Sequence, residues 1–184
     1  NSKGALLVQE DKILAVVQGD FSREEDANKF KSFFDTEDDI QLFDCQNKTL
    51  MPSFIDMHVH FRYPGQTQKE DLQSGLSAAV AGGFGTVVLM PNTNPVVSSS
   101  DTAHQIEDEA ASYKMADVIQ TVSITKDFSG TDTSHIDNLE GISIITEDGH
   151  DVNSSLVMLD AMSKCTVKGI IVDQLGVTDT SVTM

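Results

Sequence analysis

Two histidines one residue apart, His58 and His60, close an apolar run that begins at Phe54, and Arg62 follows two residues further on. In an extended strand successive side chains alternate faces, so both imidazoles lie on one side, and Arg62 joins them where the strand persists. Two imidazoles at a strand end can grip a divalent ion such as zinc. A guanidinium beside them offers a two-pronged grip for a carboxylate. Read locally, His-Val-His is equally an ordinary strand with polar residues on one face. Two further stretches carry groups of the same kind. Met90-Pro-Asn92-Thr-Asn94-Pro95 places amides directly after an apolar run, and Glu147-Asp148-Gly149 places acids after another. The plain reading of Asp148 is a turn residue before glycine.

These residues need elements to position them, and the hydrophobic pattern supplies candidates. From residue 53 onward strand and helix alternate: strands are expected over 53–61, 84–90, 116–125, 142–146 and 167–172, and helices over 69–81, 99–114 and 153–164. The first helix turns Leu72, Leu76, Ala79 and Val80 to one face and closes at Gly82-Gly83. The second turns Ala103, Ile106, Ala110 and Tyr113 inward, and the third Leu156, Val157, Leu159, Ala161 and Met162. Such alternation predicts an α/β fold with a parallel sheet and right-handed crossovers. The histidines lie at the end of the first of these strands, and the amides and Asp148 follow the second and the fourth. All would then meet at the carboxyl edge of the sheet, where sites in such folds form.

Residues 1–52 read differently, as a small β module. Residues 5–17 form two strands joined at Glu10-Asp11-Lys12, residues 40–45 another strand, and Gln46-Asn-Lys48 a turn. Between them, residues 20–39 form a charged insertion with Phe30, Phe33 and Phe34 at helical spacing, read as core rather than site. The expected division is therefore residues 1–52 and residues 53–184.

Composition narrows the classes of function. A chain of 184 residues, 39% hydrophobic, has enough apolar material for a packed core. Its net charge of −17, from 29 acidic and 12 basic residues, repels phosphate backbones and anionic membranes, which argues against nucleic-acid or membrane partners. No apolar run is long enough to cross a bilayer. Cys45 and Cys165 form neither a disulfide framework nor a ligand spacing, and read as free thiols in a reducing, cytoplasmic compartment. The first residues, Asn-Ser-Lys, contain no methionine, so the beginning of the chain is expected to be missing.

Three stretches together resemble the amidohydrolase superfamily, and within it the dihydroorotases of the longer, bacterial type. They are Met51-Pro-Ser-Phe-Ile-Asp-Met-His-Val-His-Phe-Arg-Tyr-Pro-Gly65, Lys69-Glu70, and Ala81-Gly-Gly-Phe-Gly-Thr-Val-Val-Leu-Met-Pro-Asn-Thr-Asn-Pro95. The resemblance implies a (β/α)8 TIM-type barrel, of which this chain holds about the first five strands, preceded by the small β module. It implies one or two zinc ions held by His58, His60 and Asp148, and a substrate carboxylate held by Arg62 and Asn92. The implied reaction interconverts N-carbamoyl-L-aspartate and L-dihydroorotate in pyrimidine biosynthesis. A carboxylate placed across the metal would carry the proton. It further implies a small-molecule substrate, a homo-oligomer, and aspartate transcarbamoylase as a candidate partner.

The chain departs from that pattern in one place. The family's further metal histidine, at the end of strand five, is absent from Gly169-Ile-Ile-Val-Asp173-Gln174-Leu175. The catalytic aspartate after strand eight is expected beyond the chain, since a complete barrel takes about 250 residues. The chain is therefore expected to be part of a larger protein and inactive alone. No lysine stands where a carboxylated metal bridge would, which leaves Asp148 as the candidate ligand from strand four. His104 and His135 read as surface residues, His150 as a loop residue, Lys69 and Glu70 as helix-start residues, and Asp56 as a partner of the histidines on the same strand face. Two alternatives stay open: a hydantoinase- or allantoinase-type cyclic amidase, and a non-catalytic dihydroorotase-like scaffold.

Overall fold

Apolar alternation near the amino terminus becomes a hairpin in a computed structural model of the chain, which describes residues 3–21, 25, 41–46 and 48–174. Strand β1 (Gly4–Gln9) pairs antiparallel with β2 (Lys12–Gln18), with Ala5 opposite Val17 and Gln9 opposite Lys12. The reversal falls at Glu10, whose φ of 54° lies in the left-handed region that a tight hairpin uses. The strand expected over residues 40–45 does not form within 41–45. A strand needs a ladder partner, and Leu42 and Phe43 are instead exposed. The expected turn is visible in the bond from Lys48 N–H to the Cys45 carbonyl, 2.9 Å, beside Gln46 at φ 49°. Most of the charged stretch 20–39, including Phe30, Phe33 and Phe34, lies outside the described residues.

The chain divides into two compact units, Asn1–Pro52 and Ser53–Met184. The second alternates as β3 (Phe54–Val59), α1 (Leu72–Ala81), β4 (Phe84–Leu89), α2 (Ser100–Ser112), β5 (Asp117–Gln120), β6 (Ile144–Thr146), α3 (Ser155–Lys168) and β7 (Ile171–Asp173). Pairing is parallel between β3 and β4, β4 and β5, and β6 and β7. A bridge from Val122 to Ile145 joins β5 to β6, through Val122 N–H to the Ile144 carbonyl (3.3 Å) and Thr146 N–H to the Val122 carbonyl (2.9 Å). Five strands thus lie side by side in chain order, and every strand end that leads into a candidate residue is a carboxyl end. Two short 3-10 turns, Lys126–Phe128 and Ser134–Asn138, take the place of a crossover α-helix between β5 and β6.

Caps set the helix frames. Asp71 accepts from Ser74 N–H at 2.8 Å, and the Ser74 hydroxyl returns to the Asp71 backbone, a capping box that starts α1 at Leu72 rather than at residue 69. Lys69 and Glu70 therefore precede the helix. Ser99 and Ser154 cap α2 and α3 more simply, each accepting one backbone N–H, from Thr102 and from Val157. Helix α3 continues four residues past its expected end because the first chain-reversing residue is Gly169, in the left-handed region at φ 71°. Val167, expected to open the last strand, is consequently a helical residue, and the strand starts at Ile171.

The core lies where Leu72 and Leu76 of α1, Ala103, Ile106 and Ala110 of α2, and Met158, Ala161 and Cys165 of α3 cover Val87, Leu89, Val122, Ile124 and Ile145. Two expected faces are corrected. Val80 is exposed, and on α3 Leu156, Leu159 and Met162 face outward while Met158 and Cys165 go in. Helix α3 is apolar on more than one side, and residues 158, 161 and 165 form the stripe that its cap and crossing direct at the sheet. Gly75 allows α1 to cross the Phe61 ring closely, since a Cβ there would stand 2.6 Å from that ring.

Candidate metal centre

His58 is a residue of β3, His60 follows its last residue, and both reach the carboxyl edge of the sheet. Asn92 comes from the loop after β4 and Asp148 from the turn after β6. His58 Nε2 lies 3.0 Å from Asp148 Oδ1, and His60 Nε2 lies 3.8 Å from the same oxygen. The two rings stand 5.1 Å apart and are inclined at 68°. His60 Nδ1 is 3.0 Å from Asn92 Oδ1, and Asn92 Nδ2 donates to Asp148 Oδ2 at 2.5 Å. Four of the residues singled out in the sequence are therefore one connected group.

One donor atom from each of His58, His60 and Asp148 falls within a set no more than 4.8 Å across. Donors about 2.0–2.2 Å from a zinc ion stand about 3–4 Å from one another, so small side-chain rotations bring this trio to bonding geometry. The chemistry also suits the ion: two imidazoles and a carboxylate are a common zinc donor set, with a coordination position left for water or substrate. Asp148 is buried while His58 remains open to solvent, so the carboxylate forms the floor and the rings the rim.

The supports of Asp148 are partly local and partly tertiary. Its φ of 53° is left-handed, a conformation that Asp tolerates in turns. Asp148 N–H donates to Thr146 Oγ1 at 3.0 Å, and His150 N–H to the Glu147 carbonyl at 3.0 Å. Gln174, just past β7, brackets the same turn: its Oε1 accepts from Glu147 N–H at 3.2 Å and its Nε2 donates to the His150 carbonyl at 3.0 Å. Glu147 itself is fully buried, accepting from the Thr125 N–H at 2.9 Å and from the Thr125 hydroxyl. Burial pushes its carboxyl above the usual range although those bonds pull the other way. Neither Glu147 nor Gln174 was among the expected residues. The available signal for Glu147 was an acid directly behind the apolar Ile144-Ile145-Thr146; Gln174 had none.

The loop after β3 carries Arg62 at φ 60°, half-buried, with its carbonyl accepting from Gln66 N–H at 3.0 Å. It presses directly on the loop after β4. Asn94 N–H donates to the Pro64 carbonyl at 3.2 Å, and Gln66 Nε2 to the Asn92 carbonyl at 3.4 Å. Gly65, at φ 86°, makes the approach possible: a Cβ there would fall 1.8 Å from the Asn94 carbonyl oxygen. That backbone contact is what seats Asn92 against His60.

The remaining candidates fall elsewhere. Asp56 accepts from the His58 backbone N–H at 3.1 Å and so supports the chain rather than the ring. His150 is exposed and stacks on Phe128, centroids 4.3 Å apart and 13° from parallel. His104 is half-buried, its ring over Gly141. His135, expected at the surface, is also half-buried, with Nε2 donating to the Ser123 carbonyl at 2.9 Å and Nδ1 without a partner among the described residues. A loop reading of His135 could not anticipate this, because the 3-10 turn folds it against Ser123 in the segment after β5.

Burial lowers the His135 pKa below its ordinary 6.5. The folded protein therefore binds the ring proton less readily than the unfolded chain does, so the contribution to stability is present above about pH 6.5 and is lost as pH falls. His135→Gln is expected to show a shallower loss of melting temperature between about pH 7 and pH 5 than the parent protein. Parallel curves would mean that the imidazole charges freely in the fold.

A family model described as dihydro-orotase-like matches residues 47–183. The dihydroorotase of Clostridium botulinum is 40% identical over 128 residues, covering 68% of this chain and 32% of that protein. That of Aquifex aeolicus is 39% identical over 132 residues, 71% of this chain and 31% of that protein. That of Ehrlichia chaffeensis is 36% identical over 173 residues, 94% of this chain and 36% of that protein. The chain spans about a third of the length of these curated relatives.

Proposed function

The chain belongs to the dihydro-orotase-like family, and on that premise we propose that it supplies the first metal ligands and the substrate-carboxylate grip of a zinc-dependent dihydroorotase. The proposed reaction is the reversible interconversion of N-carbamoyl-L-aspartate and L-dihydroorotate. The observation that carries this reading is the meeting of His58, His60 and Asp148 from three sequence-distant segments within one 4.8 Å donor set.

His58, His60 and Asp148 would hold the ion. A bound zinc ion supplies a water of lowered pKa and a polarised amide carbonyl. Arg62 would take the substrate carboxylate through charge-assisted, paired hydrogen bonds. Asn92 would add a neutral donor: one of its two amide hydrogens is engaged by Asp148, and the other is left for substrate. The proposed fold of the whole protein is a (β/α)8 barrel, with residues 1–52 contributing to a separate small β-sandwich. Five parallel strands in chain order support that fold, as do the exposed Phe54, Ile55 and Met57 on β3 and Ile171 on β7, apolar residues that neighbouring elements would cover. A homo-oligomer, aspartate transcarbamoylase as a partner, and a cytoplasmic location rest on the family alone. Among the described residues no helix is long and apolar enough to cross a membrane.

The test uses the full-length protein, assayed for zinc content and for hydrolysis of dihydroorotate against hydantoin. Stoichiometric zinc with turnover of dihydroorotate is the expected result; hydantoin as the preferred substrate would move the protein to another cyclic amidase. Arg62→Met should raise KM for dihydroorotate about 10- to 150-fold, the loss of about 1.5–3 kcal/mol from hydrogen bonds to a charged group, while zinc stays bound. Zinc lost along with it would make Arg62 structural. One observation favours a second reading, a non-catalytic relative that acts as a scaffold. The position after β7 holds Gln174, whose amide is committed to the Asp148 turn rather than to a metal. A protein that purifies without zinc and without turnover would establish that alternative.

A further inference from the structure

Asn92 lies between two of the three donor residues, and hydrogen-bond chemistry dictates how its amide is turned. A carboxylate accepts and does not donate, so the end of Asn92 that stands 2.5 Å from Asp148 Oδ2 must be its NH2 group. The carbonyl end then faces His60 Nδ1 at 3.0 Å and can only accept. It follows that His60 carries its ring proton on Nδ1. In the neutral ring Nε2, on the side of Asp148 Oδ1, then keeps its lone pair directed toward the other donors. The amide is itself held from behind, because its loop is pressed on the Gly65 turn and its backbone carbonyl accepts from Gln66.

We infer that Asn92 is a positioning residue of the metal centre: it selects the metal-binding tautomer of His60 and ties that ring to the Asp148 carboxylate, in addition to any contact with substrate. The inference rests on the metal reading above. Outer partners of this kind fix ring orientation and ligand basicity, and their removal typically weakens metal binding about 10- to 100-fold. Here one side chain serves two ligands from different strand ends, so its loss frees both.

The experiment compares the full-length protein with Asn92→Leu and Asn92→Asp, each labelled with 15N-histidine and stripped of metal. Long-range proton–nitrogen correlation reads the His60 tautomer, and competition against a chromogenic chelator reads the zinc Kd. The parent protein should show His60 protonated at Nδ1. Asn92→Leu should move the population toward the Nε2 proton and raise the zinc Kd about 10- to 100-fold. Asn92→Asp keeps an acceptor oxygen for Nδ1 and should keep the parent tautomer, which also serves if the leucine variant does not fold. Zinc bound by a parent protein with the proton on Nε2, or a folded Asn92→Leu with unchanged Kd, overturns the role of Asn92 and leaves the metal centre standing. A parent protein that takes up no zinc overturns the metal reading, and this inference with it.

Discussion

On the proposed function, replacing Asp148 with alanine is expected to leave the full-length protein without zinc and without dihydroorotate turnover. Asp148 supplies the single carboxylate of the donor set, and one of its oxygens faces both imidazoles at 3.0 and 3.8 Å. Without it two neutral rings remain, with no negative charge to balance a divalent ion. Loss of an outer partner already weakens binding about 10- to 100-fold, so loss of the ligand should exceed that range. The fold should persist, because the turn is held by backbone bonds and by Gln174, neither of which uses the Asp148 carboxylate. His58→Ala should behave alike. Metal content by mass spectrometry, read beside circular dichroism, checks both. A folded Asp148→Ala protein with its full zinc would reduce Asp148 to a turn residue before Gly149.

Gly65→Ala is the second large effect, and it acts through the backbone. The residue sits at φ 86°, a region in which an alanine is strained by about 1–3 kcal/mol. The added Cβ would also stand 1.8 Å from the Asn94 carbonyl oxygen, and neither loop can rotate a side chain out of the way. A total loss of about 3 kcal/mol or more is expected, lowering the melting temperature by about 6–12 °C. Zinc affinity should fall as well, since the displaced segment carries Asn92. Gly83→Ala is the control. Its φ of 84° is equivalent, but its Cβ would meet the Phe54 ring at an ordinary 3.6 Å. Equal losses in the two variants would mean that the loop contact yields without consequence.

Much of the centre was legible because it depends on local rules. Period-two spacing puts His58 and His60 on one strand face, and strand–helix alternation sends Asn92 and Asp148 to the same sheet edge. The capped starts of α1, α2 and α3 were written in Asp71, Ser99 and Ser154, yet they displaced the expected boundaries by a few residues. What stayed hidden depends on which chain segment lies alongside. Leu156, Leu159 and Met162 look as fit for the core as Met158 and Cys165 until the sheet selects one stripe of α3. Glu147 is a surface residue type on composition, and only the Thr125 backbone across the β5–β6 gap makes it a buried one. Residues 41–45 of the strand expected over 40–45 stay out of a sheet for the same reason, since they have no ladder neighbour among the described residues.

Gln174 grips both flanks of the aspartate turn from the far side of β7, which sets an order of events during synthesis. The histidine pair leaves the ribosome early, whereas the brace for its acidic counterpart emerges only once the fifth strand of the sheet is made. A growing polypeptide therefore passes through a stage in which two imidazoles are on offer and the carboxylate opposite them is not yet docked.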